Sequence, residues 1–143
     1  MKKPMKSFLL FMMSIAVLGS VMSCKEEGPH KDDIVKFTAA INVQPAVGTG
    51  AFEYNKVTKE LTYNISYSGV TPTAVAINRA DPGWERGSAL LPLSGFSTSQ
   101  VTGKTRALSD VEVTALLVGQ LYVNITTAAN PTKEYRGQIL PVE

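Results

Sequence analysis

An antiparallel β-sandwich with one short helix in a connection is the fold that this sequence predicts. Three observations carry that expectation. About seven short runs alternate apolar and polar residues, with turn-forming residues between them at intervals of ~8 to 12 positions. A single helix start is marked by Ser109-Asp-Val-Glu112. The chain of 143 residues, 44% hydrophobic and 18% charged, suits one small globular domain with appendages rather than two domains.

Taken in order, the chain opens on Lys2, Lys3 and Lys6, followed by an apolar run over residues 8–18 and by small residues. That run is far shorter than the ~20 residues that cross a bilayer, so residues 1–23 read as a signal peptide. Cys24 is the only cysteine, and Val21-Met-Ser-Cys24 resembles a bacterial lipobox. The resemblance implies cleavage before Cys24, lipidation of that residue and an outer-membrane lipoprotein of a bacterial envelope. A lone unlipidated thiol would be a reactive liability in an exported chain. More than one acyl chain would make the anchoring durable.

Loss of Lys2, Lys3 and Lys6 turns 14 basic against 12 acidic residues into 11 against 12, a formal charge of −1. No Lys/Arg block remains, so nothing supports nucleic-acid binding. Residues 24–34 are charged, contain Gly28 and Pro29 and lack apolar periodicity, which predicts a flexible tether. Its opening Cys-Lys-Glu-Glu resembles an export signal to the outer leaflet; the plainer reading is a solvated linker. His30, the only histidine, falls in this tether, a poor place for a catalytic base.

The domain proper is expected over residues 35–143. A first strand over 35–43 places Val35, Phe37, Ala39, Ile41 and Val43 on one face. Residues 44–50 break the pattern, Phe52 and Tyr54 begin a short strand, and 55–59 form a polar turn. Leu61, Tyr63, Ile65 and Tyr67 then alternate with Thr62, Asn64, Ser66 and Ser68, an apolar face backed by a wet one. Residues 74–78, 88–93 and 96–104 are further strand candidates. Ser109 and Glu112 form the capping box of a helix over 110–118, with Leu108 and Val113 as its hydrophobic staple and Gly119 as its exit. A closing hairpin follows around Asn130-Pro131. Leu121, Val123 and Ile125 on one strand, and Tyr135, Gly137 and Ile139 on the other, should form the one buried face of each.

That hairpin carries a family resemblance. Leu121-Tyr-Val-Asn-Ile-Thr-Thr, Asn130-Pro131 and Glu134-Tyr-Arg-Gly-Gln-Ile139 resemble the closing motif of the CHRD domain, and Gly48-Thr-Gly-Ala-Phe52 with residues 61–70 resembles its opening. The resemblance spans about residues 37–142 and implies an immunoglobulin-like β-fold. The family pattern usually carries a His-x-His pair and a third histidine. Here those positions fall on Ala76, Asn78 and Thr126, none of which offers an imidazole, so a superoxide-dismutase-like metal site is disfavoured.

The chemistry points the same way. A Ser-His-acid or Cys-His arrangement is excluded by the places of Cys24 and His30. Asp32, Asp33, Asp81, Glu85 and Glu134 lack calcium-loop spacing, and no cofactor or metal is expected. The most unusual loop is 79–87, which holds the only tryptophan. Either Trp84 is a contact surface for a glycan or protein partner, with Arg79, Arg86 and Asp81 around it, or it folds back to cap the core; capping is the expected outcome. Arg136, Glu134 and Asn124 are expected to form a structural polar ladder across the hairpin. The functional expectation is therefore a non-enzymatic, membrane-anchored lipoprotein presenting an interaction module. The alternative is a carbohydrate-binding or hydrolytic surface domain centred on the 79–87 loop.

Overall fold

A computed structural model describes residues 30–81 and 84–143. The expected signal peptide, Cys24 and the first part of the tether lie outside the described residues. Eight antiparallel strands form one continuous sheet: β1 (Ile34–Val43), β2 (Ala46–Asn55), β3 (Leu61–Ser68), β4 (Pro72–Arg79), β5 (Ser88–Leu93), β6 (Gln100–Lys104), β7 (Leu121–Thr127) and β8 (Tyr135–Pro141). One helix, α1 (Asp110–Leu117), connects β6 to β7. The spatial order is β5-β4-β7-β8-β1-β2-β3-β6. The sheet curls until it is nearly a barrel, because each strand turns one face of alternating apolar residues inward, odd-numbered in most strands and even-numbered in β2, and these faces must meet in one core.

The halves join at a short seam. β1 and β8 pair over only three positions, from Phe37 opposite Pro141 to Ala39 opposite Ile139. Gly137 makes that approach possible, since a Cβ there would stand 2.7 Å from the Ala40 carbonyl oxygen and 2.9 Å from Ile41 Cγ1. Phe37, Ile41, Phe52, Ile65, Ile125 and Ile139 are among the largest side chains sealed inside.

Several expectations are corrected. Residues 46–50, expected as a break, belong to the ten-residue strand β2, which pairs along its whole length with β1. Its glycines carry no side chain to alternate, so the strand is invisible to a pattern search. Lys31–Asp33 is a 3₁₀ turn and Ile34 already starts β1, so the last part of the expected tether is folded onto the domain. Lys56 fixes it, donating through its backbone N–H to Asp33 O and through Nζ to Asp32 O, each at 2.8 Å. The strand expected over 96–104 is shortened to Gln100–Lys104, because the Ser97 hydroxyl takes up the amides of Ser99 and Gln100 in a turn. α1 ends at Leu117 rather than 118, with Gly119 in the left-handed region at φ 75°.

The capping box forms as its residues dictate. Ser109 Oγ accepts from the Glu112 amide at 3.3 Å, and Glu112 Oε2 accepts from the Ser109 amide at 2.7 Å. Arg106 closes a two-pronged ion pair on the same carboxylate, both distances 2.7 Å. This hydrogen-bonding holds the Glu112 carboxyl down at about 2, against the opposing effect of its burial.

Candidate functional site

The closing hairpin departs most from expectation, and it builds the site. β7 was expected to bury one face; it buries both. Tyr122, on the parity of the polar residues, is completely buried, because Glu85 and Gly87 lie across the outer face of the sheet and cover it. The Gly87 N–H donates to the Tyr122 hydroxyl at 2.9 Å, and that hydroxyl donates to Glu134 Oε1 at 3.1 Å. Asn78 Nδ2 donates to the Gly87 carbonyl at 3.3 Å. Arg136 lies over the Tyr122 ring, 3.7 Å from its centroid, while Nη1 donates to the Glu85 carbonyl and Nη2 to Gln138 Oε1 at 3.0 Å. The covering loop is thus pinned at Glu85 and Gly87 by one phenol and one guanidinium.

Trp84 stands on this pinned loop and does not cap the core. The residue is 73% exposed. A turn bond from Trp84 N to Asp81 O at 3.0 Å and the attachment of Ala80 N to Gln120 O at 3.1 Å direct the loop outward over the sheet. The indole stands between three shallow concavities. One, of about 320 Å³, is lined by Arg79, Asp81, Arg86 and Ser88. A second, of about 380 Å³, runs toward Val118 and Gln138. A third, of about 430 Å³, lies against Glu85, Lys133, Glu134 and Arg136. Arg79 and Asp81 pair at 3.5 Å.

The two groups of residues singled out in the sequence, the 79–87 loop and the hairpin ladder, therefore meet on one face. Asn124 sits directly opposite Arg136 across the β7–β8 pair and opposite Ala76 across the β4–β7 pair. Ser109 and Glu112 lie apart from this face, in the cap of α1. Sequence reasoning missed Tyr122 as the centre of the arrangement. The available signal was a large aromatic at the polar parity of a strand that carries an arginine partner opposite its neighbour. Asn78 Oδ1, Arg79 Nε and Asn124 Oδ1 are buried with no hydrogen-bond partner among the described residues.

Of the positions where the family pattern has histidines, Ala76 and Asn78 lie on β4 and Thr126 on β7, on the same outer face. Among the described residues no group of three or more His, Cys, Asp or Glu side chains is placed to hold a metal ion. At the opposite pole a cleft of about 500 Å³, lined by Pro45, Val70, Thr73, Thr127 and Tyr135, carries no charged side chain. Among the described residues no helix is long and apolar enough to cross a membrane.

The family model of the CHRD domain matches residues 36–139. No curated protein and no solved structure matches the chain.

Proposed function

Because the chain belongs to the CHRD domain family over nearly all of its folded part, we propose that it is a non-catalytic module, tethered to a bacterial outer membrane through lipidated Cys24, whose contact surface is the Trp84 loop. The observation that carries this reading is the pairing of exposure with fixation. A tryptophan that is 73% exposed offers a flat apolar ring with a polar N–H, a side chain enriched at contact surfaces, and the Tyr122 and Arg136 attachments hold its loop in place. The non-catalytic part rests on the sequence: Cys24 precedes the domain, and His30 stands at its entry rather than beside the loop. On the same reading the β5-β4-β7-β8 and β1-β2-β3-β6 halves are the two layers of an immunoglobulin-like sandwich, supported by their single shared core.

Replacing Cys24→Ala tests the tether. The wild-type chain is expected in the membrane fraction and the variant in the soluble one, folded alike. Equal membrane association of both would overturn the tether.

A carbohydrate ligand is the second reading, favoured by the concavity that Trp84 shares with Asp81 and Arg86. Titration with envelope oligosaccharides should then shift the Trp84 emission to the blue; an unmoved spectrum at millimolar sugar would dismiss it.

A further inference from the structure

The strand directions gather one set of features at one pole of the sheet. Ile34 opens β1 opposite Asn55 at the end of β2, Arg79 closes β4 opposite Leu121 at the start of β7, and Phe37 pairs with Pro141 at the end of β8. The point where the described chain begins, His30, therefore lies at the same pole as the Trp84 loop, α1 and the β2–β3 turn. Eight large apolar side chains stand exposed among the described residues, and only Val47 belongs to the other pole. Trp84 (73%) and Val118 (62%) share one concavity, and Leu140 (49%) packs beside Gly119, next to Val118. Val57, Val111 and Val142, all more than half exposed, lie at the same pole.

We propose that this pole is a membrane-docking face, with Trp84, Val118 and Leu140 seated at the boundary between lipid headgroups and acyl chains. The inference rests on the tether reading and names the partner of the same surface. Six residue steps separate Cys24 from His30, a reach of at most ~20 Å, whereas a ten-residue strand such as β1 is itself ~33 Å long. An anchor at Cys24 thus holds this pole within ~20 Å of the bilayer, whereas the opposite pole can stand up to ~33 Å farther away. Tryptophan favours that boundary because its ring is apolar and its N–H still finds a polar partner. The apolar contacts and not charge carry the docking: Arg79 pairs with Asp81, Lys59 with Asp110 and Arg106 with Glu112, so the pole offers little net attraction to anionic lipid.

The single tryptophan makes the test direct. The lipidated full chain is reconstituted into vesicles of phosphatidylethanolamine and phosphatidylglycerol carrying a nitroxide near the top of the acyl chain, and flotation is read beside Trp84 emission. The expected result is a floating chain with blue-shifted, quenched emission that raised salt does not restore. Val118→Asp and Leu140→Asp should relieve the quenching, and Val47→Asp should not. A chain that floats with unquenched, iodide-accessible Trp84 would overturn the docking face and leave the tether standing, and Trp84 protected only by added oligosaccharide would reassign the surface to a glycan. A chain that fails to float would overturn the tether and the docking face together.

Discussion

Arg136 lies flat over Tyr122 with its guanidinium carbon 3.7 Å from the ring centroid, and the same guanidinium reaches up to the carbonyl of Glu85. A residue on β8 thereby clamps a loop that leaves β4, using a ring on β7 as the plate between them. The stack is largely desolvated, since Tyr122 is completely buried, and a desolvated cation–π contact contributes ~2 kcal/mol.

Arg136→Ala is expected to lower the thermal unfolding midpoint by several degrees, at ~4–8 °C per kcal/mol for a domain of this size. Arg136→Lys keeps the charge but loses the planar stack and the forked donors, so it should recover only part of the loss. An unchanged midpoint in the alanine variant would remove Arg136 from any structural role.

Tyr122→Phe isolates the other half of the clamp. The ring and its stack remain, but the Gly87 amide loses its acceptor and Glu134 loses its donor. Both groups are only part-buried, so losing these hydrogen bonds should cost ~0.5–1.5 kcal/mol. Hydrogen exchange at Gly87 should accelerate more than exchange in β1 or β3. Because both substitutions release one loop, Tyr122→Phe combined with Arg136→Ala should cost less than the two added together.

The parts legible in the sequence are those decided by near neighbours. Alternation from Leu61 to Ser68 is a local rule, and β3 follows it residue by residue. The Ser109 and Glu112 capping box needs only four consecutive residues, so its geometry is present in the motif. Tyr122 and Trp84 were misread because their surroundings come from elsewhere in the chain. The cover over Tyr122 arrives from Glu85 and Gly87, 35 positions away at Gly87, and converts a polar parity into a buried one. Trp84 was expected inside on the general behaviour of large aromatics, yet the pinning of its neighbours holds the backbone outside the sheet. The start of β2 was hidden for a different reason: Gly48 and Gly50 erase the side-chain signal while the backbone pairs normally.

Gly137→Ala tests the seam between the two halves of the sheet. The added methyl would meet the Ala40 backbone at 2.7 and 2.9 Å, and a backbone carbonyl has no rotamer by which to step aside. Overpacking of this kind costs ~1–3 kcal/mol or more. Chemical denaturation should show a lower midpoint with an unchanged slope; a midpoint equal to that of the wild type would mean that β8 is not held this close to β1.

Acid should weaken the protein through Glu112. Its carboxyl sits at about 2 in the folded chain against an ordinary 4.5, chiefly because Arg106 donates to both oxygens, with the Ser109 amide adding to it. A depressed folded value contributes stability that is fully present above ~4.5 and is lost as pH falls through ~2. The difference corresponds to at most about 3 kcal/mol, reduced by solvent around the half-exposed Arg106. Lys59 pulls Asp110 in the same direction, but that carboxylate is 91% exposed and adds little. Unfolding midpoints measured from pH 6 down to 2 should fall steeply in the wild type. Glu112→Gln should start lower at pH 6 and fall less over the same range. Parallel curves for the two proteins would mean that the acid sensitivity arises from carboxylates other than Glu112.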